Sequence, residues 1–384
     1  MTNSLLSRLS KIDWDFAGYM SESSFSAVHF HPSRFASQIP AALIGLMSRP
    51  GDLVMDPFCG SGTTLVEAQR LGRRSIGIEL NPVAAMVSRA KTQCKSAKRI
   101  GAVIRDLKEQ AEATIRAGHI FVRSGPATTP ATVQASKWYG PKVARDLGLL
   151  WAANLKLTGV HRLLADTAFS AILLTVCRET RHWGYVCDNT TPKGQRNADV
   201  LREYCALLER LARAYRDRDE EMEVAGHTLP AATVLSGDAL QVMEGITKST
   251  VDLVVTSPPY FGVCDYIKAQ RLTMEWQGTK IEPLRAEEIG ARSKRHRKTA
   301  ACEYIEAISR AFQSMARCVR PGGGLAIVLG QSDTRDEVLN DLRAAISAAK
   351  MSIEQELNRT VSTQRRLAPS LRGEHLFILS ARQR

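Results

Sequence analysis

Two kinds of hydrophobic spacing alternate along this chain. Short apolar runs end at turn residues: DLVMDPF before CGSG, RSIGIEL, TVLSGDAL, VDLVVTSPPY, GGLAIVLG after RPGGG, and EHLFILS near the end. Runs of this length, bounded in this way, predict strands, most of them buried on both faces of a parallel sheet. TTLVEAQRLG predicts a short helix closed by Gly72, and further helices are expected over roughly 301–319 and 335–349. From 38 to 90 the order is helix, strand, Gly-rich turn, helix, strand, which contains one βαβ unit.

Between about 90 and 230 the spacing becomes helical. Leu201, Cys205, Leu208, Leu211 and Tyr215 recur on one helical face, SAILLTVCRETRHW reads as a more buried helix, and RSGPATTPAT at 123–132 reads as a loop dividing the block. The expected organisation is a doubly wound α/β domain formed by 1–90 and 232–384, split by a helical insertion over 91–231.

Composition narrows the class. With 44% hydrophobic and 24% charged residues, the 384-residue chain can build a full core. The 52 Lys and Arg against 39 Asp and Glu leave a net charge of +13, which favours a polyanionic partner. The N-terminus MTNSLLSRLSKIDWDF lacks an uninterrupted apolar core of signal-peptide length, and the best apolar run, AFSAILLTVC at 168–177, is far short of a bilayer span, so a soluble, unexported protein is expected. The eight cysteines are scattered with no CxxC pair, which argues against a zinc ribbon or a disulfide framework and fits a reducing cytoplasm. His29 and His31 could share one side of a strand, but without further ligands nearby no metal is expected.

The first chemical signal is DPFCGSGTT, from Asp56 to Thr64, where a strand becomes a helix. Two glycines allow close backbone approach to a ligand, and free N–H groups at the helix start can meet an anion. Glu79 ends the next strand 23 residues after Asp56, near the spacing at which an acid can hold both ribose hydroxyls. No Gly-Lys dipeptide occurs, which excludes a Walker A loop, and the turn is GxG rather than GxGxxG. S-adenosylmethionine, with a ribose but no phosphate, is then the better candidate, and Asp56 is placed to face its cationic end. The plain alternative is a tight turn whose glycines serve packing alone.

The second signal is Ser257-Pro258-Pro259-Tyr260, at the carboxyl end of a predicted buried strand, where open parallel sheets bind ligands. Two prolines fix the backbone and donate nothing, so the segment presents acceptors, the Ser257 oxygen and the Pro258 carbonyl. Such a pair suits an exocyclic amino group, whose nitrogen could then offer its lone pair to a sulfonium methyl. Tyr260 would stack on the base.

DPFCGSGTT followed by IELNP and later TSPPY resembles the DNA amino-methyltransferases, which methylate N4 of cytosine or N6 of adenine using S-adenosylmethionine. The segment from His29 to Phe35, the run SGDAL at 236–240 and RPGGGLAIVLG are similar to further family elements, so the likeness covers about 30–90 and 232–384. It implies a Rossmann-like class I methyltransferase fold with a reversed hairpin involving EHLFILS. It also implies that Phe58, Gly60 and Gly62 wrap the methionine part of the cofactor, that Glu79 takes the ribose, and that Asp238 approaches the adenine amino group. His31, Pro32 and Phe35 would complete that site. A leading serine in the tetrad is associated in the family with N4-cytosine, with N6-adenine as the alternative. C5-cytosine methylation would need a Pro-Cys context, and no Pro-Cys dipeptide occurs. Cys59 is read as a small filler. An RNA methyltransferase or a non-catalytic nucleic-acid-binding relative is the reading from a different class.

Double-stranded DNA as partner requires the target base to be flipped out and the phosphates to be held. The segment 291–298 offers Arg292, Lys294, Arg295, Arg297 and Lys298 with no acid, just beyond SPPY; a solvated charge run is its plain alternative. A second basic region comprises Arg89, Lys91, Lys95, Lys98 and Arg99, and Arg178, Arg181, His182 and Trp183 form a polar, aromatic cluster in the insertion. The setting implied is bacterial or phage-encoded, cytoplasmic and nucleoid-associated, with a cognate restriction endonuclease as a separate chain.

Overall fold

The computed structural model describes residues 1–16, 24–32, 36–121, 129–179, 192, 197–332, 336–360 and 371–381. Seven strands form one sheet: β1 Leu53–Asp56, β2 Arg74–Glu79, β3 Ala232–Ser236, β4 Val251–Thr256, β5 Val319–Ser332, β6 Met351–Thr360 and β7 Leu371–Ala381. Their order is β3-β2-β1-β4-β5-β7-β6. The first five are parallel, and β7 runs antiparallel to both β5 and β6. This is the expected mostly parallel, Rossmann-like α/β architecture, and EHLFILS lies in its reversed hairpin.

Alternation along the strands explains the layers. Met55, Val254, Leu325 and Ile327 face a core with Phe312 and Met315 of helix Ala300–Cys318 and Ile346 of helix Asp336–Ala348. Val54, Leu253, Val255, Ala326 and Val328 face the other way, onto Leu9, Ile39, Leu43 and Ile44 of helices Asn3–Ser10 and Gln38–Met47. With both faces covered, the strands read as unbroken apolar runs.

Helices Ala97–Phe121, Pro141–Asn154, Gly159–Ile172 and Val200–Val224 pack around Ile104, Leu147, Trp151, Phe169, Leu208, Leu211 and Tyr215. The expected stripe is thus buried at Leu208, Leu211 and Tyr215, whereas Leu201 and Cys205 are half-buried. Tyr215 donates its hydroxyl to the Ala90 carbonyl, and the buried Arg218 guanidinium donates to the carbonyls of Gln93 and Lys95 at 2.8 Å each, tying this block to the end of helix Pro82–Lys91.

Three expectations change. SAILLTVCRETRHW is not one helix: the helix ends at Ile172, turns follow to Glu179, and 180–183 lie outside the described residues, as do 123–128 of the dividing loop. RPGGG is an irregularity inside β5 rather than a turn before it, because Val319 pairs with Val251 and the register shifts before Gly324 pairs with Leu253. Strand β6, MSIEQELNRT, went unpredicted; it is a half-buried edge strand whose Glu and Gln content lacks strand-forming residues. Among the described residues no helix is long and apolar enough to cross a membrane.

Gly77 of β2 shows how tightly the turn after β1 is packed. A Cβ there would lie 2.7 Å from both Cys59 Sγ and Leu65 Cδ2, so Cys59 does fill space against the strand. Gly77→Ala should destabilise the protein by about 1–3 kcal/mol in urea unfolding. Gly45→Ala, in helix Gln38–Met47 with nothing within 4 Å, should be neutral or stabilising by up to about 1 kcal/mol. Equal effects of the two changes would contradict this packing.

Candidate active site

The sheet reverses its winding between β1 and β4, and both strands end at the same edge. Such a switch point leaves a crevice beyond the strand ends. Asp56 closes β1 and Thr256 closes β4; the Thr256 hydroxyl donates to Asp56 Oδ1 at 2.6 Å. The same Oδ1 accepts the Phe58 N–H at 3.0 Å. Gly60 (φ +51°) and Gly62 (φ +85°) take left-handed conformations that L side chains rarely adopt, and Gly62 caps helix Thr63–Arg70. A Cβ on Gly62 would also fall 2.4 Å from Ser88 Oγ.

Glu79, ending β2, holds the turn in place. Its Oε2 accepts the Gly60 N–H at 2.8 Å and its Oε1 the Asn81 N–H at 2.7 Å. Asn81 in turn caps helix Pro82–Lys91 through the Val83 and Ala84 N–H groups and donates to the Tyr266 carbonyl. Asp238 caps helix Ala239–Glu244 through the Leu240 N–H at 3.0 Å.

One cavity gathers these groups. Asp56, Phe58, Gly60, Glu79, Asp238 and His31 line it together with Ser257, Pro259 and Tyr260. Gly62 acts from behind as the helix cap, and Pro32 and Pro258 are buried but not in the wall. Phe35 lies outside the described residues. The wall also contains Ser61, Asn81, Tyr266, Glu287 and Glu288, which sequence reasoning missed. Asn81 was signalled by the Asn-Pro cap in IELNP, but the two glutamates follow no motif.

The cavity is acidic. Asp56, Glu79, Asp238, Glu287 and Glu288 line it, and among the described lining residues there is no Lys or Arg. Burial pushes Asp56 up to about 6, against the hydrogen bonds from Thr256, Thr64 and Phe58. Burial likewise pushes Glu79 up to about 7, although the Asn81 and Gly60 N–H groups oppose it. Glu288, whose Oε1 accepts the Tyr266 and Ile267 N–H groups, is raised by burial to about 7. Such a wall repels phosphates and suits a cationic ligand with hydroxyls to donate. The Ser61 hydroxyl is buried there with no hydrogen-bond partner among the described residues, a polar atom left for a ligand to satisfy.

Within the tetrad, the Ser257 hydroxyl donates to Tyr260 Oη at 3.0 Å, and Tyr260 donates to Glu374 Oε1 at 2.9 Å. Tyr304 donates to the Pro259 carbonyl at 3.0 Å, which steadies the loop.

The structure divides the basic residues. Arg292, Arg297 and Lys298 are exposed, and Arg297 lies 3.6 Å from Glu303. Lys294 is turned inward: its Nζ donates to the carbonyls of Ala286 and Glu288 at 2.8 and 2.9 Å, and partial burial lowers its pKa. It therefore clamps the segment that lines the cavity rather than facing solvent. Arg89 donates to the Val234 carbonyl and Ser236 Oγ, and Lys91 is buried, so neither joins a basic face; Lys98 and Arg99 are exposed. Arg178 donates to the Ser136 carbonyl at 3.3 Å, while Arg181, His182 and Trp183 lie outside the described residues. His29 is buried against Ser170 Oγ at 2.8 Å, away from His31.

The DNA methylase family model covering N6 and N4 methyltransferases matches residues 7–89. The chain is similar to the DNA amino-methyltransferases. It is similar to the Type II methyltransferase M.MvaI of Kocuria varians, 26% identical over 266 residues, 66% of this chain and 58% of that one. Type II methyltransferase M.MjaII of Methanocaldococcus jannaschii is 30% identical over 102 residues, 25% of this chain and 19% of that one. The chain thus spans less than two thirds of the length of these curated relatives. The rRNA methyltransferase aviRa from Streptomyces viridochromogenes aligns over 94% of both chains at 14% identity with a TM-score of 0.42. The cofactor of the family is S-adenosylmethionine, and the acidic, Lys- and Arg-free wall fits its net positive charge.

A cationic ligand favours the ionised carboxylates, so binding below pH 7 must release protons, and affinity must rise with pH until Asp56 and Glu79 are ionised in the free protein. Affinity for S-adenosylmethionine, followed by calorimetry, is expected to rise between about pH 5.5 and 7.5, the window set by the values near 6 and 7. Glu79→Gln should weaken binding and flatten the upper part of that rise; an identical pH profile would remove Glu79 from the site.

Proposed function

We propose that this chain transfers the methyl group of S-adenosylmethionine to the exocyclic N4 of a cytosine flipped out of double-stranded DNA. The observation that carries the reading is the shared cavity, in which Ser257, Pro259 and Tyr260 stand beside the Asp56–Thr63 turn and Glu79. The cofactor supplies an electrophilic methyl on its sulfonium. Glu79 would hold the ribose hydroxyls, Asp238 the adenine amino group, and Gly60 and Ser61 the backbone-lined methionine end near Asp56.

Ser257 would accept a hydrogen bond from the amino group and so draw its nitrogen lone pair out of conjugation with the ring. Tyr260, in the wall beside it, offers a ring face for the base. The leading serine of the tetrad favours cytosine N4 over adenine N6. Extraction of the base costs a few kcal/mol, to be offset by phosphate contacts. Arg292, Arg297 and Lys298 are suited to these, because their segment follows the cavity-lining residues 287–289 directly. We read 1–90 and 232–384 as the catalytic domain and 91–231 as the region that reads sequence. Similarity to Type II methyltransferases supports a restriction–modification setting, in which we propose a separate nuclease as partner.

Nucleosides from unmodified DNA incubated with protein and cofactor are expected to contain N4-methylcytosine by mass spectrometry. N6-methyladenine would transfer the reading to adenine, and neither product would overturn it. Ser257→Ala should lower turnover by about 100-fold while changing cofactor affinity little, as expected for an interaction made in the transition state. Neutralising Arg292, Arg297 and Lys298 should weaken DNA binding and lower the slope of log affinity against log salt by up to about 2 to 3. An unaltered slope would return the run to a solvated surface.

A further inference from the structure

The tetrad does not stand alone. Strand β7 is antiparallel to β5, so its first residues, not its last, arrive at the edge where β4 ends. Among them Glu374 receives the Tyr260 hydroxyl at 2.9 Å. On the other side Glu374 is register-paired with Arg359 of β6, whose guanidinium donates to its Oε2 at 3.0 Å. Tyr260, Glu374 and Arg359 are each only 7% exposed, so this chain of contacts is shielded from water.

We infer that the Arg359–Glu374 pair sets the polarity of Ser257, making it a hydrogen-bond acceptor toward the substrate and so selecting an amino group over a keto oxygen. The reasoning is one of donors and acceptors. A carboxylate paired with a guanidinium is ionised and can only accept. Tyr260 must therefore give its one proton to Glu374, which leaves its oxygen as an acceptor. Ser257, 3.0 Å away, gives its one proton to Tyr260 and turns its lone pairs to the cavity it lines. A base presenting N–H is welcomed there, whereas one presenting a carbonyl oxygen meets lone pair against lone pair. Glu374 and Arg359 touch no reacting atom; they are positioning residues, and the proton that the methylated nitrogen gives up does not pass through them.

Glu374→Gln keeps the size of the side chain but can donate to Tyr260, which then turns its proton to Ser257 and drives the serine proton into the cavity. This inference rests on the amino-methyl transfer proposed above. Its test is the turnover of unmodified DNA, read as methylated nucleoside, for the unaltered protein, Glu374→Gln, Tyr260→Phe, the double variant and Arg359→Lys. Cofactor affinity and thermal unfolding are measured on each.

Glu374→Gln and Tyr260→Phe should each lose about 10- to 100-fold in kcat, the size of one misdirected hydrogen bond, with cofactor affinity within about twofold. The double variant should lose no more than either single one, because both break the same chain. Arg359→Lys, which keeps the charge, should retain most of the turnover. Unchanged kcat in folded Glu374→Gln, or losses that multiply in the double variant, would overturn the inference while leaving the proposed function intact. Absence of any methylated amino nucleoside from the unaltered protein would overturn both.

Discussion

A buried hydrogen bond joins the two halves of the site: Thr256 at the end of β4 donates to Asp56 at the end of β1, between residues 200 positions apart in sequence. It exists because β1 and β4 are parallel neighbours at the point where the sheet reverses its winding. The residues just after β1 form the glycine turn and those just after β4 form the tetrad, so their adjacency makes one cavity from two distant motifs. Asp56 is nearly inaccessible to water, and the bond from Thr256 partly offsets the cost of keeping a carboxylate there.

The charge of the chain also separates in space. Lys98, Arg99, Arg292, Arg297 and Lys298 are exposed, while the cavity wall is a set of carboxylates. This arrangement suits a cation within and a polyanion without. Lys294 links the two regions, since it comes from the basic run yet spends its charge on the carbonyls of the loop carrying Glu288.

Much of this was legible in sequence because the apolar runs and the glycine turns are local signals. Asp56, Gly60, Glu79, Ser257 and Tyr260 were found that way, and the strand runs gave the fold class. Glu287 and Glu288 were not, because they enter the cavity through a loop fixed by tertiary contacts with Tyr266, Ile267 and Lys294. Glu374 and Arg359 were invisible for a stronger reason. Their meeting depends on the register of β6 against β7, and β6 itself carries too little strand-forming sequence to be foreseen. Arg89 and Lys91 misled for the converse reason: their charges read as a surface, but the neighbouring strand and helices use them internally.

The central claim is that one cavity serves both cofactor and target base. A crystal structure of the protein with S-adenosylhomocysteine tests it most directly. The account predicts the nucleoside against Glu79 and Asp238, with the sulfur facing Ser257 across open space large enough for the amino group. A ligand bound elsewhere, or one separated from Ser257 and Tyr260 by protein, would contradict it.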